Sequence, residues 1–133
     1  MTDVQTPAMR LAGPVEVRVP ADPAMSRVLR LAASGLASLF GFDVEQIEDL
    51  KIAVSEVLIA LVEHGYGDFV DISFFVESGV FVVSGVTEVD QFDVDHPDLR
   101  LCRTVLAGVC ADHDIKLVGD TARITATIRQ NGR

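Results

Sequence analysis

Residues 49–66 read Asp49-Leu50-Lys51-Ile52-Ala53-Val54-Ser55-Glu56-Val57-Leu58-Ile59-Ala60-Leu61-Val62-Glu63-His64-Gly65-Tyr66. Together with Ile47 just upstream, Leu50, Val54, Val57, Leu58 and Leu61 recur at helical spacing and share one face. Asp43, followed three residues later by Gln46, makes a box-like start signal in which Asp replaces the usual Ser or Thr. Gly65 ends the run. The spacing predicts a helix from Asp43 to His64, the longest in the chain.

Working outward toward the N-terminus, Pro14 to Pro20 alternates, with Val15, Val17 and Val19 on one side and Glu16 and Arg18 on the other, as in a half-buried strand. Asp22-Pro23 reads as an N-cap followed by Pro at the first helical position. A helix is expected from Pro23 to about Phe40, with Met25, Val28, Leu29, Leu31, Ala32, Leu36, Leu39 and Phe40 as its apolar stripe and Gly41 as its stop. Residues 1–13 show no period and are expected to be a mobile leader. Beyond the long helix, Phe69 to Glu77 and Gly79 to Val86 flank Ser78-Gly79, a tight hairpin signal. Thr87 to Asp98 is acidic and reads as a loop. Leu99 to Cys110 reads as a helix with Leu101, Val105, Leu106 and Val109 inward and Asp98 as its N-cap. His113 to Val118 and Thr121 to Arg129 read as strands joined by Gly119-Asp120. The order β-α-α-β-β-α-β-β predicts an α+β fold, a two-layer α/β sandwich. Its sheet would have five strands, mixed and mostly antiparallel, with three helices on one face. One domain over 14–130 accounts for the pattern.

The chain has 133 residues, 49% of them apolar and 23% charged, enough for one sizeable core. No apolar run reaches the roughly 18 residues of a membrane span, and the first residues lack a signal-peptide pattern, so a cytoplasmic protein is expected. Cys102 and Cys110 stand in an apolar stretch without metal-ligand spacing and read as reduced, half-buried core thiols; no metal site is expected. A net charge of −9 argues against nucleic-acid binding and suits a basic protein partner. The same charge also serves solubility.

The segment Asp49–Tyr66 resembles the N-box helix of bacterial anti-sigma factors with serine-kinase ancestry, in the histidine-kinase-like ATPase superfamily. Ser55-Glu56 and His64-Gly65-Tyr66 stand at that family's spacing. The order of elements from Val15 to Arg129 and the length of the preceding helix agree with it too. The resemblance implies an α/β sandwich with ATP between the N-box helix, a mobile lid and the sheet. It also implies a Glu that acts as general base on a serine of an antagonist protein and an Asn, one turn on, that holds Mg²⁺.

This sequence departs from that pattern. The Asn position is Ala60, which cannot coordinate a metal. Glu56 then reads either as a vestigial general base or as an exposed carboxylate on the stripe Asp49, Ala53, Glu56, Ala60, Glu63. The stretch Val83–Val89 shows neither the adenine-binding carboxylate nor the following Gly pair. The phosphate-cradling glycine turn reads His96-Pro97-Asp98-Leu99, where Pro97 removes an N–H and Asp98 adds negative charge. The acids Glu88, Asp90, Asp93, Asp95 and Asp98 would repel triphosphate. At ~1–3 kcal/mol each, three lost contacts would move a micromolar site to about millimolar. No cofactor is therefore expected, although the resemblance itself points to ATP and Mg²⁺.

Thr121 matches the family's adenine-lining Gly-Thr or is an ordinary strand residue. His64 is a pH-sensitive contact or a residue complementing the helix C-terminus. Arg27 falls where the family has a helix-one Arg that touches both sigma factor and antagonist. Arg30, one turn along, could share that patch, and the guanidinium fork suits carboxylates. The resemblance implies a homodimeric regulator that binds a sigma factor or an anti-anti-sigma antagonist, and the departures imply that it does so without kinase activity. Its rivals are an active ATP-dependent serine-protein kinase and a module that kept the sandwich to bind something unrelated.

Overall fold

The structure, a computed structural model, describes residues 11–130, so most of the expected leader over 1–13 lies outside the described residues. In chain order the elements are β1 (Val15–Pro20), α1 (Met25–Leu39), α2 (Val44–His64), β2 (Phe69–Glu77), β3 (Val80–Glu88), α3 (Pro97–Val109), β4 (Asp112–Val118) and β5 (Thr121–Arg129). The strands lie in the order β1-β2-β3-β5-β4. All four neighbouring pairs are antiparallel, so the expected mostly antiparallel sheet is wholly so.

The start of α2 is built as its sequence predicts. Asp43 Oδ1 accepts the Gln46 N–H at 2.8 Å, and Gln46 Oε1 accepts the Asp43 N–H at 2.9 Å. Two N–H groups that no helical turn can satisfy are thereby satisfied, an arrangement typically worth about 1 kcal/mol. Gln46 is buried, and its Nε2 donates to the Arg129 carbonyl at 3.0 Å, which ties the helix start to the end of β5. Leu50, Val54, Val57, Leu58 and Leu61 are all nearly or fully buried, as the periodicity requires.

Along β5, Ala122, Ile124, Ala126 and Ile128 are buried, while β2 contributes Val70, Ile72, Phe74 and Val76. At Gly85 on β3 the two layers approach closely. A Cβ there would stand 2.6 Å from Leu61 Cδ1 and 2.7 Å from Val57 Cγ1, so its missing side chain is what lets α2 settle onto the sheet. The β2–β3 hairpin turns through Ser78 and Gly79 with φ of 53° and 75°, the pair of positive values a two-residue primed turn requires.

The starts of two helices, and the faces they bury, differ from expectation. Helix α1 starts at Met25: Asp22 Oδ1 accepts the Ala24 N–H at 2.9 Å, closing a turn before the helix instead of capping it. Its inward face is Leu29, Ala33 and Ala37, flanked by Met25, Leu36 and Phe40, while Val28, Leu31 and Leu39 are 47%, 70% and 57% exposed. The small alanines let α1 lie close to α2, so the larger residues of the expected stripe turn outward. Helix α3 starts at Pro97 with His96, not Asp98, as N-cap, because Pro97 takes the first helical position and leaves the cap to the residue before it. Leu106 is buried as expected, but Leu101, expected inward, is 66% exposed, and Leu99 and Cys102 are buried in its place.

Gly35 lies exposed in the interior of α1, and a Cβ there would touch nothing within 4 Å. Gly35→Ala should therefore raise stability by roughly 0.5–1 kcal/mol, seen as a higher urea midpoint at unchanged slope.

Candidate functional site

The carboxyl end of α2, the loop 89–96 and the start of α3 meet on the helical side of the sheet. Ala60 faces into this junction and is only 6% exposed, and Ala53, two turns earlier, is wholly buried. Glu56 sits between them, half-buried. Burial pushes its carboxyl above the usual carboxylate range, and Glu63 adds to the shift. Its charge also helps burial to push the Cys102 thiol on α3 up to about 11, against a smaller opposing effect of Arg103. The reading of Glu56 as an exposed carboxylate on a solvated stripe is thus corrected: α3 packs over that stripe, and only Glu63 at its end is exposed.

Glu56→Gln tests this placement. A carboxyl whose folded pKa is raised favours the folded state only while protonated. Its ionisation costs stability progressively as pH rises from its unfolded value, about 4.3, through its folded one. The glutamine variant should be more stable than the parent at pH 7, with the difference vanishing below about pH 4. Thermal melts across that range measure it.

The amide groups at the head of α3 are all in use. Pro97 has no N–H, Asp98 N–H donates to His96 Nδ1 at 3.1 Å, and Leu99 and Arg100 N–H both reach the His96 carbonyl, at 2.9 and 3.1 Å. A helix N-terminus binds phosphate through free amides, and this one has spent them on its own cap. The loop before it is pinned as well. The Asp95 N–H reaches Asp93 Oδ1 at 2.9 Å, Arg103 Nη1 donates to the Val94 carbonyl at 2.7 Å, and Val89 N–H reaches the Asp120 carbonyl at 2.9 Å. Val89 is buried, and Phe92 packs on the core. The residues present do not fit Mg-ATP: the metal-ligand position is a core alanine, and the phosphate-binding amides are occupied.

Thr121 lies elsewhere. Strand β3 runs two residues past its expected end, to Glu88, which pairs with Thr121 across the sheet. Their neighbours Thr87 and Ala122 are buried under the helices, so by strand alternation Glu88 and Thr121 face the open side. A carboxylate therefore does stand at the end of β3, where none was expected, but it lies across the sheet from Glu56 and Ala60. Thr121 Oγ1 donates to the Val118 carbonyl at 2.8 Å. With Arg18, Asp71 and Glu88 it lines an open cavity of about 400 Å³. Arg18 and Asp71 form a two-pronged pair there, at 2.8 and 3.1 Å.

On α1, Arg27 is exposed. Arg30 is half-buried, and its Nη1 donates to Ser26 and Ser55 Oγ, both at 3.0 Å, which fastens α1 to α2. Among the described residues Arg27 thus has no side-chain hydrogen-bond partner, whereas Arg30 is tied to two serines. Cys102 is buried and Cys110 half-buried, both as free thiols. His64 turns its ring edge-on to Phe92 and His96, with centroids 6.3 and 4.9 Å away. His96 itself was not singled out as a cap, although His-Pro-Asp carries that signal.

A layer of three helices over one face of an antiparallel five-stranded sheet is the fold of the histidine-kinase-like ATPases. Among solved structures the chain is similar to the RsbU and RsbW domains of a Mycobacterium tuberculosis protein (TM-score 0.72, 18% identity, 90% of this chain and 33% of that one). It is also similar to the histidine kinase domain of a blue-light-activated kinase of Erythrobacter litoralis (TM-score 0.54, 18% identity, 84% and 62%). In sequence the chain is related to the serine-protein kinases RsbW. It is 40% identical to that of Bacillus subtilis strain 168 over 85 residues, 61% of this chain and 53% of that protein. It is 50% identical to that of Oceanobacillus iheyensis over 54 residues, 41% and 34%. The chain thus spans about half the length, or less, of these curated relatives. No family model matches it. No helix among the described residues is long and apolar enough to cross a membrane.

Proposed function

We infer that the chain is an anti-sigma-factor-like regulator, cytoplasmic and homodimeric, that binds a sigma factor or its anti-anti-sigma antagonist by surface contact and does not transfer phosphate. One observation carries the loss of chemistry: the α3 amides that would hold phosphate are bonded to His96. The relation to serine-protein kinases carries the class of partner. Within this reading Arg27 meets a carboxylate of the partner, and its fork gives orientation as well as charge. Arg30 keeps α1 at a fixed angle on α2 by its two serine bonds. The net charge of −9 steers a basic partner surface toward the chain.

The second reading, an active ATP-dependent serine kinase, has one specific observation in its favour. The resemblance puts Glu56 at that family's general-base position, and burial raises its carboxyl above its ordinary value, the direction a working base needs. Calorimetric titration with Mg-ATP separates the two. The regulator reading expects no binding tighter than about millimolar; micromolar binding, or phosphate transferred to a co-purified antagonist, makes the chain a kinase. Affinity capture from the native host that returns neither a sigma factor nor an antagonist removes the regulator reading.

A further inference from the structure

His64 leaves one nitrogen without a partner in a place where a partner would be expected. Its Nε2 is buried, and no hydrogen-bonding atom reaches it among the described residues. Isolated buried polar atoms are uncommon in folded proteins, and those that occur often face a bound ion or an ordered water. Asp98 Oδ2 lies 3.8 Å from that nitrogen, too far for a hydrogen bond. His96 Nδ1 lies 3.8 Å from the same carboxylate oxygen. One donor atom from each of His64, His96 and Asp98 falls within 4.8 Å of the other two.

Those separations suit a metal ion. Bonds of about 2.0–2.1 Å in a tetrahedron give ligand-to-ligand edges of about 3.3 Å, so the two 3.8 Å edges need to close by some tenths of an ångström and the edge between the histidines, within 4.8 Å, by at most about 1.5 Å. We propose that His64, His96 and Asp98 form a binding site for a divalent transition-metal ion of the zinc class, with solvent in the fourth position. Two imidazoles and one carboxylate select such an ion over Mg²⁺, which prefers an all-oxygen shell. His96 Nδ1 already accepts the Asp98 N–H, so it carries no proton and has a lone pair to give; the ion takes that lone pair over from the amide. The acids Asp90, Asp93 and Asp95 in the adjoining loop are exposed and add favourable potential. Bound there, the ion staples the C-terminus of α2 to the loop and the head of α3. The site shares His96 with the α3 cap on which the regulator reading draws, but a zinc titration tests it separately, since a failure to bind zinc leaves that cap as described.

The test uses the full chain, stripped with a chelator and titrated by calorimetry with zinc chloride, with magnesium chloride as comparison. The expected result is one zinc per chain, a raised thermal midpoint, slower amide exchange over residues 92–100, and no comparable response to magnesium. His96→Gln and Asp98→Asn, both at partly or fully exposed positions, should each weaken zinc binding at least tenfold while their metal-free circular dichroism matches the parent. His64→Gln should do the same if it folds, and His113→Gln on β4 should change nothing. Cobalt substitution should give the strong visible bands of four-coordinate nitrogen and oxygen ligation without a thiolate charge-transfer band. Zinc binding that survives His96→Gln and Asp98→Asn, or that is lost on Cys102→Ser or Cys110→Ser, overturns the proposal, as does the absence of one-to-one binding.

Discussion

Phe81→Ala is expected to lower stability by about 3–5 kcal/mol, the range for emptying a large aromatic site in a packed core. Phe81 is fully buried on β3. Its ring meets Phe42 edge-on at 5.9 Å and Phe74 at 5.9 Å with a tilt of 59°. Phe42 belongs to the link between α1 and α2, and Phe74 to β2, so the deletion loosens three segments at once and forfeits two aromatic pairs. Urea unfolding should show a midpoint far below the parent at a similar slope. Phe69→Ala serves as the comparison: that ring is 48% exposed beneath the Arg18 guanidinium, and its loss should cost a small fraction as much. A cost for Phe81→Ala under about 1 kcal/mol would contradict the packing described.

The second large effect sets strand propensity against packing. Valine is among the better strand residues and glycine among the poorer, so propensity alone makes Gly85→Val favourable. Packing gives the opposite sign. The new Cβ would stand 2.6 Å from Leu61 Cδ1, 2.7 Å from Val57 Cγ1 and 2.9 Å from Ile72 Cδ1. All three neighbours are buried in the core. Overpacking of this kind costs typically ~1–3 kcal/mol, and a β-branched side chain meeting three simultaneous clashes belongs at the upper end. The same melts measure it, and a neutral or stabilising outcome would show that α2 does not sit on β3 at this point.

Much of the fold was legible because two local signals were strong. The Asp43–Gln46 box and the run from Leu50 to Leu61 place α2 within a residue, and Ala122 to Ile128 declare β5 by alternation. Hairpins impose antiparallel neighbours, which leaves few topologies. Where alanines do the packing, the pattern misleads: Ala33 and Ala37 carry the inner face of α1, while Leu31 and Leu39 attract attention from outside. The end of β3 was hidden because Thr87 and Glu88 have ordinary loop composition and gain their strand geometry only from pairing with Ala122 and Thr121.

The candidate site was less legible for the same reason. Ala60 announces its own loss of metal-binding capacity, but the burial of Glu56 depends on α3 lying over it, some forty residues further along the chain. No spacing rule could bring His64 next to His96 and Asp98, since the three meet only after β2 and β3 have carried the chain out and back. Arg30 looked like Arg27 in the sequence; only Ser55, on the neighbouring helix, distinguishes the tied guanidinium from the free one.

The strand order has a consequence for how the chain is made. β5 follows β4 in the chain, yet it occupies an interior place between β3 and β4. While the ribosome still holds residues 112–130, β3 has an unpaired edge and the Gln46 amide has no Arg129 carbonyl to bond. The nascent chain cannot close its sheet in order of synthesis, and long-range pairings of this sort slow folding and expose strand edges to wrong partners. Closure of the sheet must therefore wait until residues 121–129 have emerged, and chaperone engagement in the cell should be concentrated before that point.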